Sequence, residues 1–278
     1  MGKFSNTWSL MKASWQVLKK DKELLLFPFI SGIACLLVLA SFALPMFATD
    51  SWRPPGDDAT MNQRIMYYAV LFLFYFCNYF VIAFFNTAIV ACTTIRMRGG
   101  DPTVADGFRA ATSNLALIAG WALVSATVGL VLRILEDRLE KVGRFVAGLL
   151  GMAWTVVSFL VIPILVNERK GPITALKEST ALLKKTWGEQ LISNLSFGLA
   201  FLLLSIPAFL LAMVGFFSGS GVAMIVCFSL AGLYLITLSM IQSTLQAIFQ
   251  AALYLYARQN QAPAGFQPEL LNNALRRG

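Results

Sequence analysis

The sequence predicts an all-α, polytopic integral membrane protein, with about six transmembrane helices and two or three amphipathic interfacial helices on the cytoplasmic face. Three observations carry this reading. Of 278 residues, 58% are hydrophobic and only 13% charged, about half the charged share of a soluble domain. The apolar residues fall in five charge-free runs of at least 23 residues, and a helix needs about 20 to cross a bilayer core. Lys and Arg crowd into alternate gaps between those runs, as expected of loops that stay on the cytoplasmic side.

The spans follow in order at about 24–48, 65–95, 112–132, 145–166, 190–214 and 221–257. The last two share one charge-free run, 190–257, which the Gly/Ser cluster at 215–221 is expected to break. Residues 1–258 read as a single transmembrane domain, and 259–278 as a polar cytoplasmic tail. The first run covers 26 residues behind Asp21 and Glu23. A cleaved leader has an apolar stretch of only about 7–15, so a retained span is expected. With both termini inside, the inner segments hold 16 of 22 Lys/Arg and 8 of 14 acids, so they carry the whole net charge of +8. That asymmetry predicts cytoplasmic N- and C-termini. It also removes the nucleic-acid reading that a basic chain would otherwise invite. The outer segment 133–144 mixes four basic with three acidic residues and reads as a short charged helix.

Before three of the span pairs lies a similar segment. Residues 10–21 align with 175–186 at an offset of 165, matching Lys12 with Lys177, Ser14 with Ser179, Leu18 with Leu183 and Lys19-Lys20 with Lys184-Lys185. Residues 107–117 make a fainter copy, with Arg109 at the Lys12 position. The unit is an interfacial helix followed by a helical hairpin, repeated up to three times. Trp8, Met11, Trp15 and Leu18 recur at helical spacing and are expected to share one face, with Lys12, Lys19 and Lys20 off it. Ile173, Leu176, Thr180, Leu183 and Trp187 do the same against Lys177, Lys184 and Lys185. Such helices lie in the headgroup layer, Trp as anchors and Lys or Arg near anionic phosphates. The anchors are thus Trp8, Trp15 and Trp187, and the headgroup contacts are Lys12, Lys19, Lys20, Arg109, Lys177, Lys184 and Lys185. Start signals fit: Asp101-Pro102 and Gly171-Pro172 open helices, and Thr186 with Glu189 forms a capping box for the fifth span.

No Asp, Glu, Lys or Arg sits in the middle of a proposed span, which weighs against proton-coupled transport. The intramembrane polar groups are amides: Gln242, Gln246 and Gln250 as a stripe on the last span, Asn78 and Asn86 on the second, and Asn194 on the fifth. They serve either as hydrogen bonds between helices or as a polar path. Pro207 lies nearest a span centre and is the expected kink. The chain has no histidine, which excludes Ser-His-Asp chemistry and removes most zinc and haem ligation. Cys35, Cys77, Cys92 and Cys227 each lie inside an apolar run and read as small hydrophobes. No cofactor or metal is expected.

Three stretches, "VIPILVNERKGPITALKESTALLKKTWGEQL" (161–191), "AALYLYARQNQAPAGFQPELL" (251–271) and "WSLMKASWQVLKKDKELLLFP" (8–28), resemble bacterial membrane proteins related to the membrane domain of glycerophosphoryl diester phosphodiesterases. The enzymatic domain of those proteins is absent. The resemblance implies a six-span helical domain of the bacterial inner (cytoplasmic) membrane and no reaction. The expected function is a non-enzymatic, lipid-associated or accessory subunit. Its partners are anionic lipids on the cytoplasmic side and either further copies of itself or a larger membrane complex. The alternative is a channel or facilitator for a small solute that uses the Gln stripe.

Overall fold

The computed structural model describes residues 3–48, 56, 59–138, 140–184, 187–259, 263 and 266, without the side chains at 3–7, 137–144, 184–197, 199 and 259. Every regular element among them is a helix. In chain order they are α1 (Lys3–Lys20), a 3-10 turn (Lys22–Leu25), α2 (Leu26–Ala48), α3 (Met61–Met97), α4 (Val104–Ser113), α5 (Leu115–Arg138), α6 (Glu140–Val157), α7 (Val161–Glu168), α8 (Pro172–Lys184), α9 (Trp187–Phe217) and α10 (Gly221–Gln259). Among the described residues, six stretches are long and apolar enough to cross a membrane: Lys22–Ala48, Met61–Met97, Leu115–Glu136, Phe145–Glu168, Ala200–Phe217 and Gly221–Arg258.

The chain divides into two compact units. The first comprises Met1–Pro28, Thr93–Asp101 and Leu182–Gly278. Its frame is the antiparallel hairpin of α9 and α10, with α1 packed on both helices. The hairpin turns where the Gly/Ser cluster predicted. Gly219 has φ +66, a left-handed conformation that glycine adopts without strain. The Ser218 hydroxyl donates to the Gly215 carbonyl at 2.8 Å and closes the last turn of α9. A Cβ on Gly215 would come within 2.6 Å of Cys227 Cβ, so glycine there sets how closely the two helices cross.

Burial along α10 is uneven. Its first half exposes Val222, Ile225, Phe228, Leu233 and Ile236, while Ala251–Tyr256 are buried without a gap. A helix of 39 residues is about 58 Å long, roughly twice a bilayer core of about 30 Å. The exposed apolar half therefore suits hydrocarbon, and α10 as a whole packs on α9 and α1.

The second unit comprises Phe29–Cys92 and Pro102–Ala181. It repeats that contrast on α3, which exposes Met61, Ile65, Met66, Leu73 and Ile82 and buries Ala88–Cys92. Phe84 and Phe85 meet Phe108 of α4 at ring distances of 6.2 and 6.1 Å. Trp121 of α5 stacks on Trp154 of α6 at 5.5 Å. The charged segment 133–144 forms no separate helix. It carries the ends of α5 and α6, residue 139 lying outside the description. Arg133 and Glu136 pair there at 3.6 Å.

Two start and break signals differ from expectation. The N-cap of α4 is Thr103, not Asp101. The backbone at Thr103 is extended, its hydroxyl accepts the Asp106 N–H at 3.2 Å, and the Asp106 carboxylate accepts the Thr103 N–H at 3.0 Å. This reciprocal box satisfies two amides that one cap alone could not. Second, the fourth span is interrupted at residues 158–160, between α6 and α7. Pro163 has no N–H, and its ring would clash with the carbonyl four residues back. The helix therefore stops and restarts, leaving Pro163 in the first turn of α7 where no amide is needed. The Leu160 N–H freed by the break donates to the Ser179 hydroxyl of α8 at 3.1 Å, fully buried. Helix α9 continues through Pro207, the position of the expected kink. The Tyr234 hydroxyl of α10 donates to the Leu204 carbonyl at 2.7 Å, one residue past the Leu203 carbonyl that Pro207 leaves without its helical donor. Pro172 is the first residue of α8, as its Gly-Pro signal predicts. The Thr186–Glu189 capping box lies outside the described residues.

Candidate functional site

Residues four apart along a helix stack on one face. In α1 the stripe Leu10, Ser14 and Leu18 is buried at 0, 0 and 2% exposure, turned toward the hairpin. Ala13 and Val17 widen it. This corrects the predicted face. Leu18 belongs with Leu10 and Ser14, while Trp8 and Trp15 lie on the other flank with the lysines. Steps of three and four both make helical neighbours, so spacing alone left the choice open, and contact with the hairpin made it.

The exposed flank alternates aromatic and cation: Trp8, Lys12, Trp15, Lys19. Trp8 is 64% and Trp15 38% exposed. The Lys19 ammonium sits 5.8 Å from the Trp15 ring centre, within cation–π range. Beside this flank runs a groove of about 550 Å³. Met11, Lys12 and the two tryptophans form its α1 wall, and Phe201, Leu204, Leu238 and Ile241 form its hairpin wall. Among the described residues, Lys12 is the only charged one lining it.

The remaining predicted residues are spread over the structure. Lys20 and Lys177 are exposed. Arg109 is exposed and stands 3.8 Å from Asp106. Hydrogen bonds from Thr103 hold the Asp106 carboxyl below its usual range, with Arg109 adding to the effect. Asn78 is half-buried and donates to its own helix, at the Phe74 carbonyl, at 2.9 Å. Asn86, Gln242, Gln246 and Gln250 are half-buried, the three glutamines at four-residue spacing on one flank of α10. The asparagines on α3 belong to one unit and the glutamines to the other. The Lys184, Trp187 and Asn194 side chains and the whole of Lys185 lie outside the described residues.

Two ionic clusters were not anticipated. In the first unit Arg96, at the end of α3, chelates Asp21 through two nitrogens, one at 2.6 Å, and also bonds Asp101. Asp21 is buried, so the pair ties the end of α1 to the end of α3. In the second unit Lys170 meets Glu168 at 2.7 Å and Glu178 at 2.5 Å. Those two carboxylates, Glu168 first, raise the Lys170 pKa above its ordinary value. Among the described residues no group of three metal-ligating side chains forms.

Among the described residues, whose regular elements are all helices, six membrane-length apolar stretches define a multi-pass membrane protein. The chain belongs to a family of unknown function, DUF6159, whose model matches residues 65–266. No curated protein matches it.

Proposed function

We propose that this is a lipid-associated accessory protein of the bacterial inner membrane, with both termini cytoplasmic and no reaction of its own. One observation supports this best. α1 is held to the α9–α10 hairpin by its apolar stripe and leaves a Trp–Lys–Trp–Lys flank exposed, at the level where lipid-facing surface gives way to the buried residues of α10. Tryptophan and lysine are the residues favoured at a membrane–water boundary, and each lysine near an anionic leaflet contributes about 1 kcal/mol of attraction. The motifs at 8–28, 161–191 and 251–271 support, within this proposal, a kinship with phosphodiesterase-related membrane domains. The wide apolar surface of the hairpin suits a homo-oligomer or docking within a larger membrane complex.

The test is thermal stability in nanodiscs. Phosphatidylglycerol should raise Tm relative to phosphatidylcholine, and Lys12→Gln/Lys19→Gln/Lys20→Gln should remove that increment. Equal Tm in the two lipids would refute the reading. The half-buried Gln242, Gln246 and Gln250 favour a second reading, a facilitator for a small solute. It predicts solute flux in proteoliposomes that is lost when all three become Leu.

A further inference from the structure

We propose that the groove between α1 and the α9–α10 hairpin is a specific site for one anionic phospholipid, one acyl chain lying in the groove and the phosphate held on Lys12. The proposal rests on the lipid-associated reading and names the ligand and the residues.

Three observations carry it. The first is position. Phe201 and Leu204 lie at the start of Ala200–Phe217, the membrane-length part of α9. On α10, Leu238 and Ile241 lie between the exposed apolar residues ending at Ile236 and the buried run from Thr244. The groove thus opens where a lipid's chains meet its headgroup. The second is chemistry. The hairpin wall is wholly apolar, Trp8 and Trp15 flank it, and the lining carries one cation and no carboxylate among the described residues. Lys12 forms no ion pair among the described residues. Lys19 follows seven residues later on the same flank and adds to the positive field. A chain with an anionic head complements that pattern, and a zwitterionic head does so less well. The third is size. A volume of about 550 Å³ lies within the ~300–1,000 Å³ of ordinary small-molecule sites, larger than a packing defect between helices.

The experiment uses the full chain in detergent, titrated with dioleoyl phosphatidylglycerol or dioleoyl phosphatidylcholine and read by native mass spectrometry. The wild type should retain one phosphatidylglycerol in preference to phosphatidylcholine. Lys12→Gln should lower that preference about fivefold, the loss of about 1 kcal/mol of attraction. Leu204→Trp and Ile241→Trp fill the groove from different helices and should each lose the tightly held lipid. Circular dichroism melts of both verify that they fold. Ile225→Trp, on the exposed hairpin surface away from the groove, should retain it. If the filled variants keep phosphatidylglycerol as the wild type does, or if Ile225→Trp loses it equally, the site is wrong while a general lipid association stands. If the wild type retains neither lipid and the nanodisc increment is also absent, both readings fall.

Discussion

α1 and α8 align in sequence, and the same three positions are buried in both. Leu10, Ser14 and Leu18 are 0, 0 and 2% exposed, and Ala175, Ser179 and Leu183 are 0, 0 and 2%. The two central serines nevertheless have different fates. Ser179 accepts the Leu160 N–H released at the break between α6 and α7. Ser14 is equally buried, and its hydroxyl finds no partner among the described residues; α10, on which α1 packs, runs as one helix from Gly221 to Gln259. One sequence pattern thus specifies a buried stripe, and the neighbouring helix decides whether the polar atom inside it is used. The fainter copy sharpens this. Gly107 and Ala111 are buried at the matching positions, but Leu115 is 43% exposed. The helix ends there at Asn114, whose backbone leaves helical geometry, and the stripe loses its phase.

The largest test of the equivalence is Leu18→Ala beside Leu183→Ala. Each should cost about 2–5 kcal/mol as a buried leucine truncation, read as paired losses of thermal stability in detergent. A large cost at one and little at the other would break the comparison. Next comes Asp21→Ala. Arg96 keeps Asp101, so the loss should be about 1.5–3 kcal/mol, the worth of hydrogen bonds to a charged group, and additive with Ser179→Ala in the second unit. Coupling between those two would contradict the assignment of Arg96 to the first unit. Ser179→Ala by itself should cost about 1–3 kcal/mol by leaving a buried N–H unpaired, whereas Ser14→Ala should be neutral or stabilising. Equal costs would remove the distinction between the serines. The smallest effect concerns α4. Its capping carboxylate has a folded pKa below the ordinary 3.8, so its stabilisation is full above about pH 3.8 and is lost as pH falls through the depressed value. Asp106→Asn should abolish that acid-side loss, read as helicity against pH.

The spans were legible because long charge-free runs in a chain this apolar fit a bilayer and little else. Their ends were less so: α4 starts two residues later than Asp101-Pro102 suggested, because a reciprocal Thr103–Asp106 pair satisfies more amides than one cap. The interruption at 158–160 was hidden inside an unbroken apolar run and is explained by Pro163 together with a serine 19 residues away. Of the candidate site, the sequence supplied Trp8, Lys12, Trp15 and Lys19 but set the aromatics and cations on different faces. The hairpin wall of the groove could not be read, since Phe201, Leu204, Leu238 and Ile241 look like any other lipid-facing residues until α1 is laid beside them. The Arg96–Asp21 pair joins residues 75 apart, and no local pattern announces it. Lys170 with Glu168 and Glu178 lies across the turn between α7 and α8, outside the three- and four-residue spacings by which helical pairs are read from sequence.

The central claim is that the Trp–Lys–Trp–Lys flank of α1 lies among lipid headgroups. A variant with Trp15 as its sole tryptophan, reconstituted in phosphatidylglycerol vesicles, tests it directly through quenching by a headgroup-proximal nitroxide lipid and by aqueous iodide. Strong quenching by the lipid probe with weak iodide quenching is the predicted result. Strong iodide quenching with none from the lipid would place α1 in water and contradict the claim.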